Sequence, residues 1–374
     1  MHLQLETLIL KIIIDTYIPY IKGVLENVAE VEYLSYKQMT PASVADADAL
    51  IVRTRTQCNE ALLAGSKIKF IASATIGYDH IDARYSSEHG IRWTNAPGCN
   101  ALSVAQYMAS ALSLLAQKNN FDLSAKTMGI VGVGAVGSKI TELGKSFGMR
   151  VLLNDPPRAR KEGNEGFVSL AEICKQADII SFHTLLNVSG EDTTLHLAND
   201  AFFNSLERKP IIINASRGEI VSTSALLKAM EDGKVSDVVL DCWENEPNIH
   251  PELLHKTVLA TPHIAGYSAE GKANAATQSV QAVSRHFGLG LDDWEVRAIP
   301  EAYDINFSST TDISQFFLET YDIEADSLRL KFSPETFEKQ RSHYPFRREP
   351  RAYLSQMSDE LKEKFLGQFP LFRD

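Results

Sequence analysis

Short runs rich in β-branched residues recur along the chain, separated by stretches long enough for a helix, and this rhythm restricts the fold more than any other feature. A first series comprises "KIIID" at 11–15, "ALIVRT" at 49–54, "IKFIASA" at 68–74 and "IRWTNA" at 91–96. A second comprises "TMGIVG" at 127–132, "RVLLND" at 150–155, "ADIISFH" at 177–183, "PIIINAS" at 210–216, "DVVLDCW" at 237–243 and "TVLATPH" at 257–263. Apolar strands buried on both faces and joined by helical crossovers are the signature of parallel sheets. The chain is therefore expected to be α/β, with two parallel-sheet domains. At 374 residues it is also too long for a single ordinary core. "SVAQYMASALSLLAQ" (103–117) lacks Gly and Pro and has helical apolar spacing, which predicts a long helix leading from one domain to the other. A second predicted helix at 268–288 makes the return. After about 290 the rhythm stops. The expected layout is residues 1–103 completed by 268–290, then 104–267, then a smaller C-terminal α+β unit at 291–374 with a helix at 358–369.

The net charge of −11, with both signs mixed along the chain, favours a small-molecule role over binding to nucleic acid or an anionic membrane. Cys58, Cys99, Cys174 and Cys242 are far apart with no C-x-x-C pair, as expected of reduced thiols in a cytoplasmic protein without a structural metal. "TLILKIIID" is too short and too broken by Lys11 for a targeting segment, and reads as a first strand. No run approaches the roughly 20 apolar residues of a membrane span.

The most specific local motif is "GIVGVGAVGSKI", which places Gly132, Gly134 and Gly137 in G-x-G-x-x-G spacing between a predicted strand and a predicted helix. In that context the first glycine allows the tight turn, the second lets backbone approach a pyrophosphate, and the third lets helix pack on strand. Asp155 ends the next strand, 155 − 137 = 18 residues after the third glycine, where a carboxylate accepts from ribose hydroxyls and repels a 2′-phosphate. The expected cofactor is NAD, in a Rossmann-like domain. Arg158, three residues after Asp155, is able to pair with a 2′-phosphate.

Ligands of open α/β sheets sit beyond the carboxyl ends of the strands. Arg217 follows "PIIINAS", Glu246 follows "DVVLDCW" and His263 follows "TVLATP", so three functional groups are expected at one edge of one sheet. Oxidising an alcohol needs a base for the hydroxyl proton, and imidazole titrates in the right range. A neighbouring carboxylate fixes its tautomer, and a guanidinium holds a substrate carboxylate through paired hydrogen bonds. The competing reading is a surface Arg–Glu pair and a satisfied core histidine.

"GVGAVG", "NASRGEIV", "DCWENEP" and "TPHIAG" together resemble, in order, the cofactor loop and the Arg, Glu and His segments of the D-2-hydroxyacid dehydrogenase family over residues 11–290. The resemblance implies that His263 is the acid/base, Glu246 its partner and Arg217 the substrate-orienting residue. It further implies NAD contacts at Ala135 and Val136, Thr184, Ala215, Ser216, Arg217, Asp241 and Gly266, and substrate contacts at Thr54, Thr75 and Tyr267. Within the family, the C-terminal unit resembles the dimerisation domain of one subgroup, implying a homodimer and a phosphorylated hydroxy acid as substrate. Arg53, Arg55, Arg347 and Arg348 are the expected candidates for the phosphate. Phosphoglycerate, glyoxylate or hydroxypyruvate chemistry is an alternative, as is a dinucleotide-sensing protein without turnover.

Overall fold

The computed structural model describes residues 10–310 and 312–373, so the start of the "TLILKIIID" run lies outside the described residues. The chain forms two compact units, one from residues up to Asn100 together with Ala269–Pro300, the other from Ala101–Ser268 together with the segment from Glu301 onward.

In the first unit five strands form one parallel sheet: β1 (Lys11–Asp15), β2 (Glu30–Leu34), β3 (Ala49–Val52), β4 (Phe70–Ser73) and β5 (Arg92–Thr94), in the order β2-β1-β3-β4-β5. β1, β3 and β4 are almost wholly buried, because cores lie on both faces. β2 is absent from the sequence-based expectation. It is an edge strand reading "EVEYL", and its glutamates break the apolar run that marks the other strands. The helix Ala269–Phe287 belongs to this unit, packing Ala275, Ala276, Val280 and Val283 into one of its cores.

The second unit holds a six-stranded parallel sheet of β6 (Thr127–Val131), β7 (Arg150–Asn154), β8 (Ile179–Phe182), β9 (Ile211–Asn214), β10 (Val238–Leu240) and β11 (Leu259–Ala260). The order is β11-β10-β9-β8-β6-β7, so the winding direction reverses between β6 and β8. All six expected runs appear as strands. β8 to β11 stop before the last residues of their runs, where the chain leaves the sheet in turns. The helix Ala101–Asn119 lies in this unit and is buried nearly all round, including Ser103, Gln106, Ser110 and Ser113.

The C-terminal segment differs from the expected third α+β unit. Among its described residues it carries helices, including Ile313–Thr320, Ile323–Phe332, Phe337–Ser342 and Asp359–Gln368, and contributes only an isolated bridge, Ser268 to Arg347. It shares the core of the second sheet rather than forming its own. Phe369 stands edge-on to Phe147 at 4.9 Å, and Phe317 lies 6.0 Å from the same ring. A cluster of phenylalanines this apolar is stable only against a larger buried surface.

Candidate active site

The glycine loop joins β6 to the helix Ala135–Ser146 at the reversal of strand order, the place where open α/β sheets hold ligands. Each glycine has a separate physical reason. Gly132 has φ +88, and a Cβ there would meet Thr184 N at 2.7 Å and the His183 carbonyl carbon at 2.8 Å. A Cβ on Gly137 would stand 2.0 Å from Gly132 O, so that residue sets the approach of helix to strand. A Cβ on Gly134 would meet no protein atom within 4 Å, which leaves an open face at the exposed first turn of the helix, beside Ala135 and Val136.

Asp155 closes the loop from the next strand. Its Oδ2 accepts from Val133 N at 2.8 Å, and its Oδ1 caps the helix Pro156–Glu162 by accepting from Arg158 N at 3.0 Å. The Arg158 guanidinium donates to Val133 O at 2.6 Å and pairs with Glu162, which ties it to the protein rather than to a phosphate. Across the reversal, at the end of β8, Thr184 Oγ1 and His183 Nδ1 are buried without a hydrogen-bond partner. Burial pushes the His183 imidazole down to about 3, so this group is neutral. An open glycine turn, a helix N-terminus, an acid at the end of the next strand and a buried hydroxyl without a partner fit a dinucleotide.

Arg217, Glu246 and His263 follow β9, β10 and β11 respectively, at the carboxyl edge of the same sheet. The β9 turn is folded by Asn214, a residue the sequence reading passed over. Its Oδ1 accepts from Ser216 N at 3.1 Å and Ser216 Oγ at 2.8 Å, while its Nδ2 donates to Arg217 O at 2.8 Å. Gly218, also passed over, lets this turn press against the β10 turn, since a Cβ there would lie 1.9 Å from Trp243 C.

Glu246 is fixed by Trp243 N, which donates to its Oε1 at 3.0 Å, and both carboxylate oxygens face His263 Nδ1, at 3.1 and 3.0 Å. The side chains keep 23% and 14% of their surface exposed for His263 and Glu246, so the pair is recessed yet reachable. Burial alone would push the Glu246 carboxyl up, but electrostatic attraction to the His263 ring, its hydrogen bond, the Arg341 guanidinium and Trp243 N–H together hold it down at about 2. Cys242 Sγ lies within 4.8 Å of the ligating atoms of both. It donates to Ser216 O at 3.2 Å, and burial pushes its thiol well up.

His263 has φ +57, a left-handed conformation that needs outside support. Asp241 provides it. The Asp241 carbonyl accepts from His263 N at 2.8 Å. Its carboxylate accepts from Ile264 N at 2.7 Å, Ala265 N at 2.9 Å and Thr261 Oγ1 at 2.7 Å. Desolvation raises its pKa, opposed by His263 and by these donors. Gly266 follows, partly exposed, and Tyr267 closes the turn by donating its N–H to Ile264 O at 2.9 Å. The Tyr267 ring is buried against Tyr344 and Phe346 of the C-terminal segment.

Thr54 and Thr75 belong to the first unit, just beyond β3 and β4, and are partly exposed. Thr75 Oγ1 donates to Gly77 O at 2.9 Å and meets Ser73 Oγ at 2.7 Å, which in turn meets His80 Nε2 at 2.9 Å. Arg53 donates to Tyr17 O at 3.3 Å and, with Lys272, acts electrostatically on the buried Asp15. Arg55 and Arg348 are partly exposed. Arg347 does not fit the expectation of a phosphate ligand. It is 7% exposed, and its guanidinium is enclosed by protein carbonyls.

Residues 105–265 match the family model described as D-isomer specific 2-hydroxyacid dehydrogenase, NAD binding domain. The chain is 51% identical over 345 residues to an erythronate-4-phosphate dehydrogenase of Bacteroides thetaiotaomicron, covering 92% of this chain and 98% of that one. It is 38% identical over 367 residues to an erythronate-4-phosphate dehydrogenase of Yersinia pestis, covering 96% and 98%. The fold is similar to that of D-lactate dehydrogenase from Aquifex aeolicus, solved with NAD and lactic acid, with TM-score 0.63, 24% identity and coverage of 76% and 97%. It is likewise similar to NAD-bound 3-phosphoglycerate dehydrogenase of Entamoeba histolytica, with TM-score 0.64, 24% identity and coverage of 78% and 99%. No helix of the described residues is long and apolar enough to cross a membrane.

Proposed function

Since the chain belongs to the D-isomer specific 2-hydroxyacid dehydrogenase family and is an NAD-dependent dehydrogenase, we propose that it oxidises 4-phospho-D-erythronate to (R)-3-hydroxy-2-oxo-4-phosphooxybutanoate. This assigns it a step in pyridoxal 5′-phosphate synthesis. The observation that carries the chemistry is the His263–Glu246 pair, held by Nδ1 contacts of 3.0 and 3.1 Å at the carboxyl edge of the dinucleotide sheet.

Bound NAD supplies the acceptor for the hydride leaving C2. Every other part of the step falls to the protein. Glu246 engages Nδ1 of His263, which fixes the tautomer with its free electron pair on Nε2. Nε2 takes the C2 hydroxyl proton as the carbonyl forms, and the resulting imidazolium is stabilised by the carboxylate beside it. Arg217, carried on a turn stiffened by Asn214, holds the substrate carboxylate and polarises the adjacent carbon–oxygen bond. Gly132, Gly134, Gly137, Asp155 and Thr184 would hold the dinucleotide, together with the turn Ala215–Arg217. Asp241 keeps the His263 turn in place and, with Gly266, would be among the residues that hold the cofactor. Thr54, Thr75 and Tyr267 contact the substrate, with Arg53, Arg55 and Arg348 the candidates for its phosphate.

The chain works as a homodimer through its C-terminal segment, a reading that rests on the resemblance of this segment to a dimerisation domain. Sedimentation of the purified chain tests this, and a monomer at assay concentration overturns it. NADH formation with 4-phospho-D-erythronate, set against 3-phosphoglycerate and against reduction of glyoxylate and hydroxypyruvate, tests the substrate. A higher kcat/KM for any rival overturns the assignment. Turnover of none of them returns the chain to a dinucleotide-sensing role.

A further inference from the structure

The turn that carries His263 is gripped from two sides by buried groups of opposite charge, and one of them comes from the C-terminal segment. On one side Asp241 takes the N–H groups of Ile264 and Ala265. On the other, Arg347 takes the carbonyls. Its Nη1 donates to Ile264 O at 3.1 Å and Tyr267 O at 3.3 Å. Its Nη2 donates to Ser103 O at 2.9 Å and to Ala265 O. Its Nε donates to Gln106 Oε1 at 3.0 Å. A guanidinium has five N–H donors in a fixed plane, and here each meets an acceptor.

Further contacts hold the guanidinium itself. It lies 4.3 Å over the Tyr321 ring. The hydroxyls of Tyr321 and Tyr344 both donate to Asp326 Oδ2, at 3.1 and 2.6 Å, and Asp326 Oδ1 accepts from Arg329 at 2.8 Å. Gln106 Nε2 donates back to Arg348 O at 2.9 Å. Glu349 Oε1, two residues after Arg347, accepts from Ser103 Oγ at 2.9 Å and Ser268 Oγ at 2.7 Å. The C-terminal segment is thereby tied to both the Ala101–Asn119 helix and the turn after His263.

Removing a guanidinium from water is costly unless every donor is satisfied, so a buried one enforces the arrangement that satisfies it. The left-handed backbone of His263 needs such enforcement. We propose that Arg347 is a positioning residue: by clamping the carbonyls of Ile264, Ala265 and Tyr267 against the Asp241 carboxylate, it fixes the direction in which His263 presents its imidazole. The C-terminal segment is thus part of the catalytic apparatus as well as an element of assembly. This rests on the reading of His263 as the acid/base.

The test uses the full chain carrying Arg347→Lys, which keeps the charge but loses the planar fork, and separately Gln106→Met, which removes the Nε acceptor and leaves the charge in place. The readouts are kcat, KM for NAD, and deuterium uptake of the peptide spanning residues 261–268. Expected are a kcat loss of tenfold or more for Arg347→Lys and a smaller loss for Gln106→Met. KM for NAD should stay within twofold, and exchange at the 264 and 265 amides should accelerate. Wild-type kcat in both variants overturns the proposal. So does a fall in NAD affinity as large as the fall in kcat, or failure of both variants to fold, since each makes the network purely structural. The substrate is whichever 2-hydroxy acid the wild type prefers, so a wrong substrate does not count against Arg347. A wild type inactive on all of them refutes the acid/base reading, while the exchange data still report whether the clamp orders the turn.

Discussion

Replacing Gly218 with alanine perturbs the active edge without touching an ionisable group. An added Cβ would stand 1.9 Å from Trp243 C, 2.0 Å from Trp243 O and 2.4 Å from Glu244 N. All three are backbone atoms, so no side chain can swing aside. Carbon atoms pack at about 3.5 Å, and 3.5 − 1.9 leaves the two turns to part by about 1.6 Å. Those turns carry Arg217 on one side and the Trp243–Glu246 hydrogen bond on the other. Misplacement of reacting groups by about 1 Å costs about a hundredfold in rate, and overpacking costs about 1–3 kcal/mol in stability. Gly218→Ala should therefore lose at least about a hundredfold in kcat/KM and unfold at a lower temperature. Steady-state kinetics and a thermal melt measure both. Wild-type kcat/KM in a folded variant would show that the closeness of the two turns has no part in catalysis.

Gly134→Ala should behave oppositely: its Cβ meets no protein atom, so the free protein should melt as the wild type does, while NAD affinity measured by titration should fall about tenfold if backbone approaches a pyrophosphate there. Glu246→Gln should lower kcat/KM about a hundredfold, because the amide keeps the shape but not the negative charge that faces His263 Nδ1 at 3.0 and 3.1 Å and stabilises the positive ring formed when Nε2 takes the proton. For stability the sign is that of a depressed acid: the contribution is present above pH 4.5 and lost as pH falls toward about 2, so the variant's unfolding profile should be flatter in that window. His183, displaced from 6.5 to about 3, is protonated more readily in the unfolded chain, so wild-type stability should fall as pH drops from 6.5 toward 3. In His183→Asn that acid sensitivity should shrink, and an unchanged urea profile across this range would count against the buried neutral imidazole.

The fold was legible where a strand is buried on both faces, since such a strand needs an unbroken apolar run and writes it into the sequence. β2 escaped because an edge strand exposes one side, and Glu30 and Glu32 alternate with partly buried neighbours. The C-terminal segment escaped for a different reason. Its phenylalanines are as visible as any strand, yet their partner Phe147 lies far off in sequence, 317 − 147 = 170 residues before Phe317 and 369 − 147 = 222 before Phe369. Local composition cannot say that an apolar cluster belongs to someone else's core.

The site divides along the same line. The placement of Arg217, Glu246 and His263 was readable because each follows a strand, and the sheet alone brings them to one edge. Asp241 entered only by resemblance, although a physical signal was present: a carboxylate set inside the apolar run "DVVLDCW" is carried into the core with it and must find donors. Arg347 was misread because the basic run "RSHYPFRRE" at 341–349 made it a candidate for the substrate phosphate, whereas what decides its role is the set of carbonyls it meets, at Ser103, Ile264, Ala265 and Tyr267. Charge is a property of the residue, but whether that charge serves a ligand or the chain is settled by which acceptors the fold delivers. For Arg347 the fold delivers acceptors on the turn after His263. A substitution there should consequently be felt in proton transfer before it is felt in cofactor affinity.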